Sequence, residues 1–114
     1  MSNANQDTDH DLLKHHVESI AESLTYPDSD ELNEDDEPYT AMDYVFEALD
    51  LEYAISSDGE YRGARLLVAF GGPNIWVDTK TNRVEGHWWG DSYSCSFGDN
   101  LGIDDACEEL WECR

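Results

Sequence analysis

The segment from Arg65 to Trp89 constrains the fold more than any other, because it has the pattern of the middle of an antiparallel sheet. An apolar run over residues 66–70 stops at Gly71-Gly72-Pro73, and the run over residues 74–78 is rich in β-branched and aromatic residues. The polar residues 79–82 predict a hairpin turn in which Asn82 takes the left-handed conformation. Beyond this turn, apolar and polar side chains alternate with the two-residue period of a strand whose faces are unlike.

Two further strands are predicted on either side of this segment. Residues 51–56 alternate in polarity and lead through the turn Ser57-Asp58-Gly59 into a strand over residues 61–70. Near the other end, Tyr93, Cys95 and Phe97 alternate with serines, which predicts a last strand with one apolar and one hydroxylic face. The sequence therefore predicts an antiparallel meander of four to five strands.

Apolar residues at helical spacing predict a first helix that begins near Asp9 and ends at Tyr26-Pro27. Its apolar stripe consists of Leu13, Val17, Ile20 and Leu24. Residues 1–8 are polar and without periodic apolar positions, so we expect them to be disordered. Residues 28–38 contain seven carboxylates and one leucine, which predicts a loop or a mobile acidic segment.

Two more helices complete the predicted fold. One begins at Thr40, whose hydroxyl and the carboxylate of Asp43 match a capping arrangement, and ends near Leu49. The other begins near Ile103 and has an apolar stripe at helical spacing. Each stripe needs an apolar partner, and only the sheet offers enough area. We therefore predict a single α+β domain over residues 1–114, with two N-terminal helices and one C-terminal helix packed on one sheet face.

Cysteine usage and the N-terminus indicate a cytoplasmic protein. Cys95, Cys107 and Cys113 form an odd set without paired spacing, which favours a reducing compartment over a disulfide framework. A bridge from Cys95 to one of the other two remains an open alternative, because Cys107 and Cys113 lie too far apart on one helix. The N-terminus lacks the basic and apolar regions of a signal peptide, and no apolar run approaches a membrane span in length.

Charge is the strongest functional signal in the sequence. The 114 residues contain 27 Asp or Glu but only six Lys or Arg, for a net charge of −21. Such a field repels nucleic acid and anionic membranes, and it attracts basic surfaces, including the grooves in which proteins hold DNA or RNA. Direct contact with nucleic acid or with a membrane is therefore not expected. Adaptation to high salt would produce the same excess, and the sequence leaves that alternative open.

Carboxylates in regular rows are the candidate binding site. The last helix carries them at i, i+4 and i+8 and in a neighbouring row, and like charges at that spacing destabilise a helix. A helix that keeps such rows serves solubility or offers an anionic surface to a basic partner. The predicted partner-binding carboxylates are Asp43, Glu47, Asp104, Asp105, Glu108, Glu109 and Glu112.

Trp89 is the one aromatic residue predicted to contact a partner. Strand alternation sends the side chains of Trp88 and Trp89 to opposite faces, so one should belong to the core and the other should be partly exposed.

Catalytic and metal-binding motifs are not indicated by the sequence. The chain has no nucleophile elbow, no protease signature and no paired zinc ligands, and we expect no catalysis, cofactor or metal.

Small size, extreme acidity, reduced cysteines and the lack of a catalytic motif resemble the DNA-mimic inhibitors of bacteriophages and mobile elements, the anti-CRISPR and antirestriction proteins. The resemblance covers the composition of the whole chain and transfers no individual residues. It implies a protein of the bacterial host cytoplasm that occupies the basic DNA-binding surface of a defence complex, such as the type I effector Cascade. The alternative is an acidic immunity or accessory protein that binds a basic protein through the exposed sheet face and Trp89.

Overall fold

A five-stranded antiparallel sheet forms the centre of the molecule. The computed structural model describes the backbone of residues 3–114 and the side chains from His10 onward. The strands are β1 (Asp50–Ile55), β2 (Tyr61–Ala69), β3 (Asn74–Asp78), β4 (Arg83–Trp88) and β5 (Asp91–Ser96). They lie side by side in chain order, which confirms the predicted meander.

Strand register places the apolar residues of neighbouring strands on one face. Val77 of β3 is paired with Leu66 of β2 on one side and with Val84 of β4 on the other, and all three side chains are fully buried. Because side chains alternate along a strand, the residues between these belong to the opposite face. The β3–β4 turn is also as predicted, since Asn82 has a φ of 55° and the Asp78 carboxylate accepts from the N–H of Lys80 at 2.8 Å.

Helices cover only the apolar face of the sheet. They are α1 (Asn3–Thr25), α2 (Ala41–Glu47) and α3 (Ile103–Cys113). Helix α1 packs on β4 and β5, whereas α3 packs on β2 and against α2. The core between the layers contains Leu13 and Val17 of α1 together with Ile103 and Cys107 of α3. The predicted α+β class, with helices on one sheet face, is therefore confirmed.

Glycine makes the close approach of α1 to the sheet possible. A Cβ atom added to Gly86 of β4 would lie 2.6 Å from Cγ2 of Val17 and 2.8 Å from Cδ1 of Leu13. Further along α1, the Glu18 carboxylate accepts from the Tyr93 hydroxyl of β5 at 2.8 Å. The end of α1 is held as well, because the side-chain amide of Asn100 donates to the Thr25 carbonyl at 2.6 Å.

Element boundaries differ from the predictions at the helix ends. The backbone is helical from Asn3, six residues before the expected start, while residues 1 and 2 lie outside the described part of the chain. The predicted capping arrangement of α2 is present as a full capping box between Thr40 and Asp43. This helix ends at Glu47 rather than near Leu49, because Ala48 already has extended backbone angles.

The three cysteines do not form a disulfide. Cys107 is buried in α3, Cys95 is half-buried in β5 and Cys113 is exposed at the chain end. The open alternative of a bridge from Cys95 is therefore not realised. Burial raises the pKa of the Cys107 thiol to about 12, so this side chain is a protonated apolar group in the core.

Candidate partner-binding surface

Negative charge is distributed unequally between the sheet and the rest of the chain. Residues 50–96, which contain all five strands, have seven carboxylates and four of the six Lys or Arg, a net charge of −3. The segments before and after them therefore carry −18 of the total −21. A partner that approaches from the helix side meets most of the charge of the protein.

On the uncovered face of the sheet, the guanidinium of Arg65 is surrounded by carboxylates. The guanidinium of Arg65 lies over the ring of Trp76, 4.4 Å from its centroid. Its nitrogens are 3.4 Å from Glu52, 3.8 Å from Asp78 and 3.6 Å from Glu85, measured to the carboxylate oxygens. No helix covers this face in the part of the chain that the structure describes.

The acidic rows of α3 separate into an exposed part and a part that faces inward. Asp105, Glu109 and Glu112 are exposed, whereas Glu108 is half-buried. The carboxylate of Asp104 accepts hydrogen bonds from the hydroxyls of Tyr61 and Thr79, each at 2.8 Å. Asp104 therefore uses its carboxylate to hold α3 on the sheet, and the exposed row consists of its neighbours.

Asp99 caps the start of α3, a role that the sequence analysis did not predict. It accepts from three successive N–H groups at the start of α3, those of Gly102 at 3.0 Å, Ile103 at 2.7 Å and Asp104 at 2.9 Å. These N–H groups have no partner within the helix itself. The only sequence signal is an aspartate a few residues before the first apolar residue of the helix.

The two predicted residues of α2 differ in what they bind. Asp43 accepts from the backbone N–H of Thr40 at 2.8 Å, and this bond is the main reason that the pKa of its carboxyl is lowered. The side-chain amide of Asn33 also donates to Asp43, at 3.3 Å. Glu47 is exposed and accepts from the Tyr39 hydroxyl. Because α2 packs against α3, both residues belong to the same layer as the α3 row.

The acidic segment 28–38 forms a loop that has hydrogen bonds of its own. The side-chain oxygen of Asn33 accepts from the N–H groups of Asp35 at 2.9 Å and Glu37 at 3.1 Å, and an antiparallel bridge joins Leu32 to Pro38. Repulsion between carboxylates opposes an ordered loop, but the hydrogen bonds of these backbone N–H groups stabilise it. Its acidic side chains are exposed to solvent.

An open cleft of about 890 Å³ lies between the end of α1, the acidic loop and α2. Apolar and acidic side chains both line it, and Phe46, Tyr26 and Leu32 are exposed there to 71%, 76% and 55%. None of the residues that line the cleft is Lys, Arg or His. We call this feature the acidic cleft.

Trp89 is the most exposed large apolar side chain among the residues described, at 82%. Its neighbour Trp88 packs against the core, so the predicted contrast between the two tryptophans is confirmed. The cause is different, because Trp89 lies beyond the end of β4 in the turn to β5 and has a φ of 53°. The predicted alternation within one strand does not apply to it.

No cluster of three or more His, Cys, Asp or Glu side chains that would hold a metal ion occurs within the described residues. None of the described helices has the length and apolarity to cross a bilayer. In comparisons with protein-family models, curated proteins and solved structures, none matches this chain.

Proposed function

We propose that this protein inhibits a bacterial defence complex by binding its basic DNA-binding surface as an anionic mimic of DNA. The observation that supports the proposal is the position of the charge, since −18 of the net −21 lies outside the sheet and the exposed carboxylates of α3 form an ordered row. Lysines and arginines that hold phosphates would meet carboxylates at regular spacing along this row.

The contact in this proposal is made by the exposed carboxylates of Glu47, Asp105, Glu109 and Glu112, together with the half-buried Glu108. Asp43 and Asp104 are already bonded within the domain, and they contribute their charge and hold α2 and α3 in place. The protein acts by occupying a surface, without catalysis and without a cofactor. Its site of action is the cytoplasm of the bacterial host, and the type I effector Cascade is the partner to test first.

Competition with DNA tests this function. Binding of duplex DNA by purified defence complexes is measured with and without the protein over a range of NaCl concentrations. We expect displacement of DNA that weakens as salt rises, because both contacts are electrostatic. Binding to a complex without displacement of DNA would contradict mimicry, and lack of binding to every complex would favour solubility or salt adaptation as the reason for the acidity.

Charge reversal locates the contact. The double substitution Glu108→Lys and Glu109→Lys should abolish displacement, because it inserts two cations into the anionic row. A matched control, Asp58→Lys and Glu60→Lys in the exposed β1–β2 turn, makes the same change in net charge away from the helices. Equal loss of displacement in both variants would mean that net charge alone, rather than the α3 row, determines binding.

A second candidate function is binding of a basic protein through the open sheet face. The exposure of Trp89 at 82% favours it, because exposed tryptophans are frequent anchors of protein interfaces. In this case Trp89→Ala would lower affinity by roughly tenfold or more with little dependence on salt. If Trp89→Ala leaves binding unchanged, Trp89 and the β4–β5 turn that carries it are not part of the contact, which overturns the role of Trp89 as an anchor.

A further inference from the structure

We propose that the acidic cleft binds an extended segment of a protein in which lysine or arginine residues flank an apolar residue. The inference rests on the proposed function, because it describes which part of a cationic partner this surface takes. The cleft is open, and its volume of about 890 Å³ exceeds what a single ion or one side chain would fill.

Apolar side chains on two sides of the cleft are largely exposed in the described part of the chain. Phe46 extends from α2 and Tyr26 from the end of α1, and both are more than two-thirds exposed. Leu32 of the acidic loop adds a third exposed apolar group, above a floor that includes the buried Leu24. Grouped apolar surface of this kind marks an interaction site more often than a free surface.

The rim of the cleft selects for positive charge. Its carboxylates are those of Asp28, Glu31, Glu34, Asp35, Asp43 and Glu47. Within residues 10–114, the carboxylates of Glu31, Glu34 and Asp35 accept no hydrogen bond and form no ion pair. A lysine or arginine from another protein would therefore find acceptors there without displacing an internal contact.

The environment of Arg65 indicates why the occupant carries such side chains. That guanidinium stacks on Trp76 and is surrounded by three carboxylates. The cleft offers the same combination, an aromatic ring beside several carboxylates, but no guanidinium. Arginine and lysine suit it because their aliphatic stems pack on apolar surface while the charged ends reach the rim, and arginine also stacks on aromatic rings.

A direct test uses a fluorescent peptide with alternating arginine and leucine, titrated with the full-length protein and followed by anisotropy. Phe46→Ala should weaken its binding by roughly tenfold, because an exposed aromatic anchor is removed without disturbing the core. The charge variant Glu31→Gln and Glu34→Gln should weaken binding and reduce its salt dependence. Its matched control, Asp58→Asn and Glu60→Gln in the exposed β1–β2 turn, should leave the affinity within about twofold.

Equal loss in the two charge variants, or an unchanged affinity of Phe46→Ala, would overturn the inference. Equal loss in the charge variants would mean that the peptide is attracted non-specifically. An unchanged affinity of Phe46→Ala would mean that the peptide binds outside the cleft. The peptide assay contains no DNA and the competition assay contains no peptide, so their failures are separate. Peptide binding that survives in the absence of DNA displacement would leave the cleft assigned and overturn DNA mimicry.

Discussion

Asp104 shows how one carboxylate among many acquires a structural role. It lies in a helix of acidic residues, yet its carboxylate receives the hydroxyls of Tyr61 and Thr79, and Thr79 in turn accepts from the N–H of Ala64 at 2.8 Å. Burial and the neighbouring carboxylate raise the pKa of Tyr61, so its hydroxyl remains a donor at neutral pH. These bonds connect α3 to β2 and to the β3–β4 turn.

Removal of this acceptor should destabilise the domain. Asp104→Ala leaves two hydroxyls in a partly buried site without their partner, and we expect a loss of about 1–3 kcal/mol in the free energy of unfolding. The adjacent and exposed Asp105 provides the control, since Asp105→Ala should change stability by no more than about 0.5 kcal/mol. Urea unfolding measures both, and similar values for the two variants would contradict this role of Asp104.

Cys107 predicts a loss of stability at alkaline pH. Burial raises its pKa from 9.0 to about 12, so the folded state favours the protonated thiol. The corresponding stabilisation is complete below pH 9.0 and is lost as the pH rises through about 12. Unfolding measured across this range should show a smaller decline for Cys107→Ala than for the wild type. Cys113→Ala, at an exposed position, should show the same decline as the wild type.

The sequence did not predict which individual side chains form hydrogen bonds within the fold. Helical periodicity places Asp104 at the edge of the apolar stripe of α3 and Asp105 opposite that stripe, but it does not show that the hydroxyls of Tyr61 and Thr79 lie within reach of Asp104. The hydrogen bonds of Asn33 were not predicted for a different reason. Composition predicted repulsion in residues 28–38, whereas backbone hydrogen bonds to one side chain determine the loop.

Elements were predictable where their pattern is local. The strand over residues 74–78, the left-handed Asn82 and the start of α3 at Ile103 agree with the structure, because alternation, turn chemistry and helical periodicity act over a few residues. The helix ends were less predictable. Helix α2 stops at Glu47, and two residues later the N–H of Leu49 donates to the carbonyl of Leu67 in β2 at 2.8 Å, a long-range bond that local propensity does not indicate.

The contact between α1 and β4 gives a prediction at this scale. Gly86→Ala places a Cβ atom 2.6–2.8 Å from side-chain atoms of Val17 and Leu13, both of which are fully buried. We expect a destabilisation of about 1–3 kcal/mol from overpacking. Gly72→Ala is the matched control, because a Cβ atom there meets nothing within 4 Å. Comparable unfolding midpoints for the two variants would contradict this packing.

Separation of charge from the sheet organises the whole molecule. Residues 50–96, which contain the strands and the turns between them, have a net charge of −3, while the segments before and after them carry −18. Repulsion among these carboxylates opposes compaction of the helical side, and hydrogen bonds such as those of Asp43 and Asp99 use a few of them to cap helices. The remainder stay available at the surface.

Salt should therefore stabilise this protein even without a partner. An increase from about 0.1 M to about 1 M NaCl shortens the Debye length from about 10 Å to about 3 Å and screens the repulsion. We expect the unfolding temperature to rise by at least about 4 °C, which corresponds to about 1 kcal/mol in a domain of this size. Thermal unfolding followed by circular dichroism measures the shift. A constant or falling unfolding temperature would show that self-repulsion is negligible in the folded state.

The order of the strands also bears on how the chain folds. Each strand of the meander pairs with its predecessor, so the sheet can grow hairpin by hairpin with short loop closures. Helix α1 is the exception, since its contacts reach β4 and β5, and Glu18 and Tyr93 are 75 residues apart. The apolar stripe of α1 therefore stays exposed to solvent until β4 and β5, the last two strands, have formed.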